Sequence, residues 1–346
     1  MNDDPALTPS EAIPPASVPP APATPAQSTL HNIFVGKDGL RAGWSLLIFA
    51  AIFAALAFCV NVIGHKLWPS SGKALKAGSE VSPRFLYIAE SIPLLITVIA
   101  TWIMSKIERR RNSVYGLGGS RKFVNFLTGL GWGVLCISLL VLTLSKSGLL
   151  VIDRRLLFGG DTLRYGTIWL FGFLLVGLLE EYLTRGYVQY TLTRGLAGIY
   201  AWAFKTRHSQ VLGFWTAAVI FSVLFGLGHG KNVGESPIGL LSAGLAAMIF
   251  CLSLWRTGSL WWAVGFHTTW DWGQSFLYGV ADSGMMAQHH LLATHPVGAP
   301  ILSGGTTGPE GSIYVIAILA FASCVIVFTV PRGQYGDARS APQLQG

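Results

Sequence analysis

Apolar residues in this chain come in long continuous runs. They do not alternate as in an exposed strand, nor form the one-sided stripe of a surface helix. Runs of 18 or more residues with few or no charges read as membrane-spanning helices. They predict spans at about 42–64, 84–106, 122–145, 166–190, 211–229, 236–256, 259–280 and 312–331. The predicted fold is therefore all-α, a polytopic transmembrane helical bundle of about eight helices. A β-barrel does not suit these runs, because barrel strands alternate apolar and polar positions.

Polar stretches frame this membrane domain, which is placed at 37–332. Residues 1–36 are rich in Pro, Ala, Ser and Thr and carry Asp3, Asp4 and Glu11. No basic region leads into an apolar core there, so the segment reads as a disordered cytoplasmic tail and not as a signal peptide. A short C-terminal tail covers 333–346. Lys and Arg concentrate in cytoplasmic loops. The loop with Lys106, Arg109, Arg110, Arg111, Arg121 and Lys122 is accordingly assigned inside, which puts both termini inside a multi-pass cell-membrane protein. On that assignment, with Arg185 set aside, 14 Lys and Arg lie inside against 9 outside. The last outer loop, about 281–311, has none. Its His289, His290 and His295 read as loop residues in solvent. The stretch Leu149–Phe158 reads as an amphipathic segment on the membrane surface. Trp261 and Trp262 read as interfacial anchors, Trp270 and Trp272 as packing around a polar site, and Glu90, inside the second span, as lying near the outer interface, with the lining of that same polar site as its alternative place.

Composition agrees with the pattern: 51% hydrophobic, 12% charged, mean hydropathy +0.52. The net charge of +8 is spread between apolar runs, so it favours membrane orientation over nucleic-acid binding. Cys59, Cys136, Cys251 and Cys324 each lie within an apolar run without CxxC spacing, as small packing residues do.

Three polar clusters interrupt the apolar runs: Glu180-Glu181-x-x-x-Arg185, Phe225-x-x-x-His229 and His267-x-x-x-Asp271. Each charge at mid-bilayer costs about 2.5–3.5 kcal/mol on insertion scales. Glu181 and Arg185 are one turn apart and can offset each other as a supporting pair, while Glu180 points about 100° away. His267 and Asp271 share a helical face. Ionisable groups in spans face the bundle interior and pair with one another. Glu180, His229, His267 and Asp271 are therefore the candidate catalytic set. Read separately, each cluster is equally a structural pair or a snorkelling charge; their coincidence favours chemistry. Such a set can address a metal or a water. The boundaries leave one conflict. A fourth span ending near 190 puts Glu180 toward its inner end, whereas His229 falls at an outer end.

The ordered set E-E-x-x-x-R, F-x-x-x-H and H-x-x-x-D/N resembles the CPBP family, the CAAX proteases and bacteriocin-processing (Abi) enzymes. The resemblance covers about 165–275, including Arg256–His267. Asp271 stands where the family often has Asn. The resemblance implies an intramembrane endopeptidase acting on membrane-associated or lipidated proteins, with Glu180 as the base for a water, His229 holding that water, and His267 with Asp271 steadying the oxyanion or completing a metal site, in one of two versions. In one, zinc is held by Glu180, His229 and His267, as in a metalloprotease; in the other, glutamate and histidine activate water without metal. The rival readings are a non-catalytic protein of the same fold, serving bacteriocin immunity or scaffolding, and a proton-coupled transporter. The lack of an internal repeat weighs against the transporter.

Overall fold

The computed structural model describes residues 33–36, 39–67 and 76–331. The tail predicted over 1–36 lies outside the described residues apart from its last four, and 333–346 lies wholly outside them. Every predicted span is helical: α1 (Ala42–Leu67), α2 (Pro83–Ile107), α3 (Lys122–Lys146), α4 (Gly159–Glu181), α5 (Gln189–Phe204), α6 (Ser209–Gly228), α7 (Pro237–Thr257), α8 (Trp261–Trp272) and α9 (Val315–Thr329). Among the described residues six helices are long and apolar enough to cross a membrane. They are α1, α2, α3, α6, α7 and a single rod made of α4 and α5. Helix α8, with 12 residues, and α9, with 15, are shorter.

The helix starts are written locally. Ser82 caps α2 by accepting from the Phe85 amide at 3.2 Å, and Pro83 follows it. Ser236 and Pro237 repeat the device at α7, where Ser236 Oγ accepts from the Gly239 amide at 3.0 Å. Both use a side-chain oxygen for an orphan N–H and a proline where no N–H is needed. Gly258, at φ +67°, ends α7 in a left-handed conformation that favours glycine.

The fourth predicted span is longer than expected. It runs unbroken from Gly159 to Phe204, 46 residues, through a π-helical stretch at Tyr182–Val188. No proline or helix-breaking pair near 190 stops it. Glu180 thus sits in mid-rod, which removes the conflict with His229.

Helices α3, α7, α8 and α9 enclose the largest core, with Ile137, Leu140, Phe250, Phe266 and Leu319 at its centre. Trp262 belongs to this core: it is 1% exposed and stacks on Phe266 at 5.2 Å. It is not an interfacial anchor, because helix α3 covers the face on which it lies. Glycines set how closely α3 and α8 approach. A methyl group at Gly129 would strike the Trp262 carbonyl, one at Gly133 the Phe266 carbonyl, and one at Gly265 the Phe126 carbonyl. This small-residue spacing lets helix backbones touch where lipid offers no hydrophobic drive.

Short strands tie the loops together. β1 (Val35–Gly36) pairs with β2 (Gly39–Leu40), and β3 (Glu80–Val81) lies parallel to β5 (Met286–Ala287). β4 (Leu150–Arg155) runs antiparallel to β6 (Leu292–Pro296). The stretch predicted as an amphipathic surface segment is therefore a strand. Its β-branched Val151 and Ile152 favour extended backbone, and β6 supplies a ladder partner invisible from local sequence. His295 Nδ1 lies 2.8 Å from Asp153 Oδ2 across this ribbon. His289 stacks on Tyr165 at 4.2 Å, and His290 is buried with Nδ1 2.7 Å from the Ala287 carbonyl. The three loop histidines do not converge.

Candidate active site

The three clusters meet. Glu180, His229, His267 and Asp271 all line one cavity of about 240 Å³. Helix α4 delivers Glu180, the end of α6 delivers His229, and α8 delivers His267 and Asp271. The approach of α4 to α8 depends on Gly177, where a Cβ would lie 3.2 Å from the Val264 carbonyl and 3.5 Å from His267 Cβ. Both acid-bearing helices widen into π turns just after their carboxylates, at Tyr182–Val188 and Gly273–Leu277. Such turns recur at functional sites because they re-aim side chains without ending the helix.

His267 is the hub. Its Nδ1 donates to Glu181 Oε1 at 3.2 Å. Its Nε2 faces Glu180 Oε2 at 3.8 Å and Asp271 Oδ2 at 3.6 Å. The ring rests on Phe250, centroids 5.4 Å apart and 28° from parallel. Donation from Nδ1 turns Nε2 toward the two cavity carboxylates.

Glu181 and Arg185 stand behind this site. Their side chains are 0% and 1% exposed and joined at 2.8 Å. Arg185 also lies over the Phe225 ring at 4.3 Å and the Phe250 ring at 5.6 Å. The i,i+4 pairing read from sequence is present, and it has a second partner that spacing could not show: Glu181 bonds His267 on another helix. Thr101 Oγ1 and Tyr182 Oη, 2.9 Å apart, fasten α2 to the first residue of the π turn.

His229 is anchored separately. Its Nδ1 donates to the Phe225 carbonyl one turn back at 2.8 Å, which leaves Nε2 for the cavity. Glu180 keeps 31% side-chain exposure, and its Oε2 is buried without a hydrogen-bond partner.

Five acids or amides outside the predicted set line the same cavity. Glu90 comes from α2. It sits three residues before Pro93, which interrupts the α2 hydrogen-bond ladder. A carboxylate beside a proline in an apolar span was the available signal. Asn232, Glu235, Asp282 and Glu310 come from loops, where no periodicity marks them. Burial pushes the Glu235 acid above its ordinary range, with Glu310 adding to it. Burial likewise raises Asp282 well above the usual carboxylate range, with Asp271 and Glu310 adding to it.

Among the described residues, no group of three or more His, Cys, Asp or Glu side chains is disposed to hold a metal ion. The set Glu180, His229 and His267 lines one cavity but does not close on one point, so no step below is routed through a metal.

Residues 163–273 match the family model described as type II CAAX prenyl endopeptidase Rce1-like. The matched interval spans about a third of the chain. That interval opens in α4 before Glu180 and closes just after Asp271, so it contains every residue of the predicted catalytic set. Comparisons with curated proteins and with solved structures find no match. The matched interval runs from within α4 to the end of α8, whereas α1 to α3 and α9 lie outside it.

Proposed function

We propose that this protein is an intramembrane endopeptidase that hydrolyses a peptide bond of a membrane-associated or lipidated protein. The observation that carries the reading is the meeting of Glu180, His229, His267 and Asp271 in one cavity, with a buried ion pair behind His267. Glu180, with an oxygen free of hydrogen bonds, takes a proton from a water held by His229 Nε2. The resulting hydroxide attacks the carbonyl carbon of the scissile bond. The oxyanion is steadied by His267 Nε2, protonated with Asp271 and Glu181 beside it, and Glu180 returns the proton to the leaving amine as the C–N bond breaks. Glu181 is a positioning residue here. It fixes the His267 ring and neutralises Arg185.

Cleavage of membrane-anchored peptides by purified protein tests this reading against a Glu180→Gln control. Loss of at least about 100-fold in kcat is expected, the usual weight of a general base, with an unchanged elution profile. A chelator should leave the rate within about twofold, because no described donor cluster closes on a metal. A rate indifferent to Glu180→Gln would instead support the scaffold or immunity reading.

A further inference from the structure

The two histidines of the site stand on helices that make little direct contact with each other. His229 ends α6 and His267 lies in α8, while α7 packs against both helices. Each imidazole rests on a phenylalanine. His267 stacks on Phe250 of α7, and His229 lies against Phe225, one turn back on α6, with ring centroids 4.6 Å apart. One side chain spans the two phenylalanines. The Arg185 guanidinium lies over Phe225 at 4.3 Å and over Phe250 at 5.6 Å. The contacts therefore run His229–Phe225–Arg185–Phe250–His267, through three helices and the π-helical stretch that carries Arg185. Phe250 is 3% exposed and also meets Phe266 at 5.7 Å. Core packing alone would be served by a leucine there. Its other partners set it apart, because an arginine and an imidazole both rest on it and its ring lines the cavity. The face of a benzene ring attracts a cation, more strongly where water is excluded, and an aliphatic side chain does not. Glu181 holds Arg185 at 2.8 Å, and the planar guanidinium in turn offers both rings a fixed surface.

We infer that Phe250 is a positioning residue: with Arg185 and Phe225 it forms a bridge that fixes the separation of His229 and His267. Phe250 belongs to none of the three polar clusters in the sequence. That the two imidazoles act on one water and one carbonyl rests on the endopeptidase reading; the bridge itself does not. Placement matters at this scale, since an error of about 1 Å costs roughly 100-fold in rate.

The test labels the full-length protein in detergent with diethyl pyrocarbonate, which acylates a neutral imidazole, and reads each histidine by mass spectrometry. Phe250→Leu should raise the labelling rate of His229 by at least about threefold, near the low end of the coupling between contacting residues. The bridge carries that effect to another helix through two further side chains. His295, 54% exposed on the β4–β6 ribbon, is the reference and should not change. In a Phe225→Leu background the same substitution should add nothing, because the bridge is already cut; independent contacts would multiply. An unchanged or slower His229 rate in Phe250→Leu overturns the inference. So does an equal gain in the Phe225→Leu background. Where His295 changes too, or Phe250→Leu elutes or melts unlike the parent, Phe250→Met reads the same two ratios, being flexible and without a ring. Cleavage is scored separately. If the parent cleaves a membrane-anchored peptide, Phe250→Leu should lower kcat at least about tenfold with KM within about threefold. A raised KM at unchanged kcat overturns the positioning role. If the parent cleaves nothing while His229 responds as stated, the endopeptidase reading falls and the bridge stands.

Discussion

The tightest constraint on single residues is the buried triad Arg185–Glu181–His267. Glu181→Ala would leave the Arg185 guanidinium, 1% exposed, without its carboxylate, a change that costs about 3–5 kcal/mol at buried pairs. A marked fall in melting temperature in detergent is expected, together with reduced kcat, because the His267 ring loses its Nδ1 acceptor; unchanged melting would refute the buried-pair account. Asp282 makes a pH-dependent prediction. Unfolded, its carboxyl ionises near pH 4; folded, burial keeps the proton on to higher pH. Around pH 3 both states are protonated and the group is neutral to stability. As pH rises toward the folded value, the unfolded chain gains the ionisation that the folded one resists, so stability falls. Asp282→Asn should therefore melt like the parent near pH 3–4 and increasingly above it toward pH 8. A flat difference across that range would refute it. Sequence placed the six motif residues because helical spacing and insertion cost act locally. It did not single out Glu235, Asp282 and Glu310, because only tertiary contacts bring a loop acid over a distant helix end.

For the elements, the helices were legible because apolar runs of spanning length have few alternatives in lipid. What spacing could not give was continuity across α4 and α5, where a π-helical stretch bends the hydrogen-bond pattern without a proline to announce it. The β4–β6 ribbon was equally hidden, since its partner strand lies far along the chain. The glycine contacts between α3 and α8 carry an element-scale prediction. Gly133→Leu places a side chain against the Phe266 carbonyl and the Thr269 hydroxyl. Overpacking commonly costs about 1–3 kcal/mol, and here the neighbour is main chain, which yields less than a side-chain tip. Lower melting and lower activity should appear together, since α8 carries His267 and Asp271. Gly131→Leu, at a position where a Cβ meets nothing within 4 Å, is the matched control and should leave both unchanged.

At the scale of the molecule, residues 229–236 and 278–314 supply part of the cavity wall, through Asn232, Glu235, Asp282, Ser283 and Glu310. With both termini inside, as the loop charges favour, these two segments lie away from the cytoplasm. A single cysteine at Val297, which is 40% exposed, in a background lacking the four native cysteines, should react with a membrane-impermeant maleimide from outside intact cells; reaction only after lysis would invert the topology. The glycine-lined crossing also decides which wall of the cavity can yield. Helices that touch main chain to main chain have no slack to slide or part, so α8 and its two acid–base groups behave as one rigid plate with α3. The end of α6 is held the same way, since a Cβ at Gly226 would strike the Leu240 carbonyl of α7, so a polypeptide entering the chamber must displace α2, which contributes Glu90 and meets α4 at Gly172 through the Leu86 side chain. The enzyme we propose is thus a fixed anvil faced by a movable jaw.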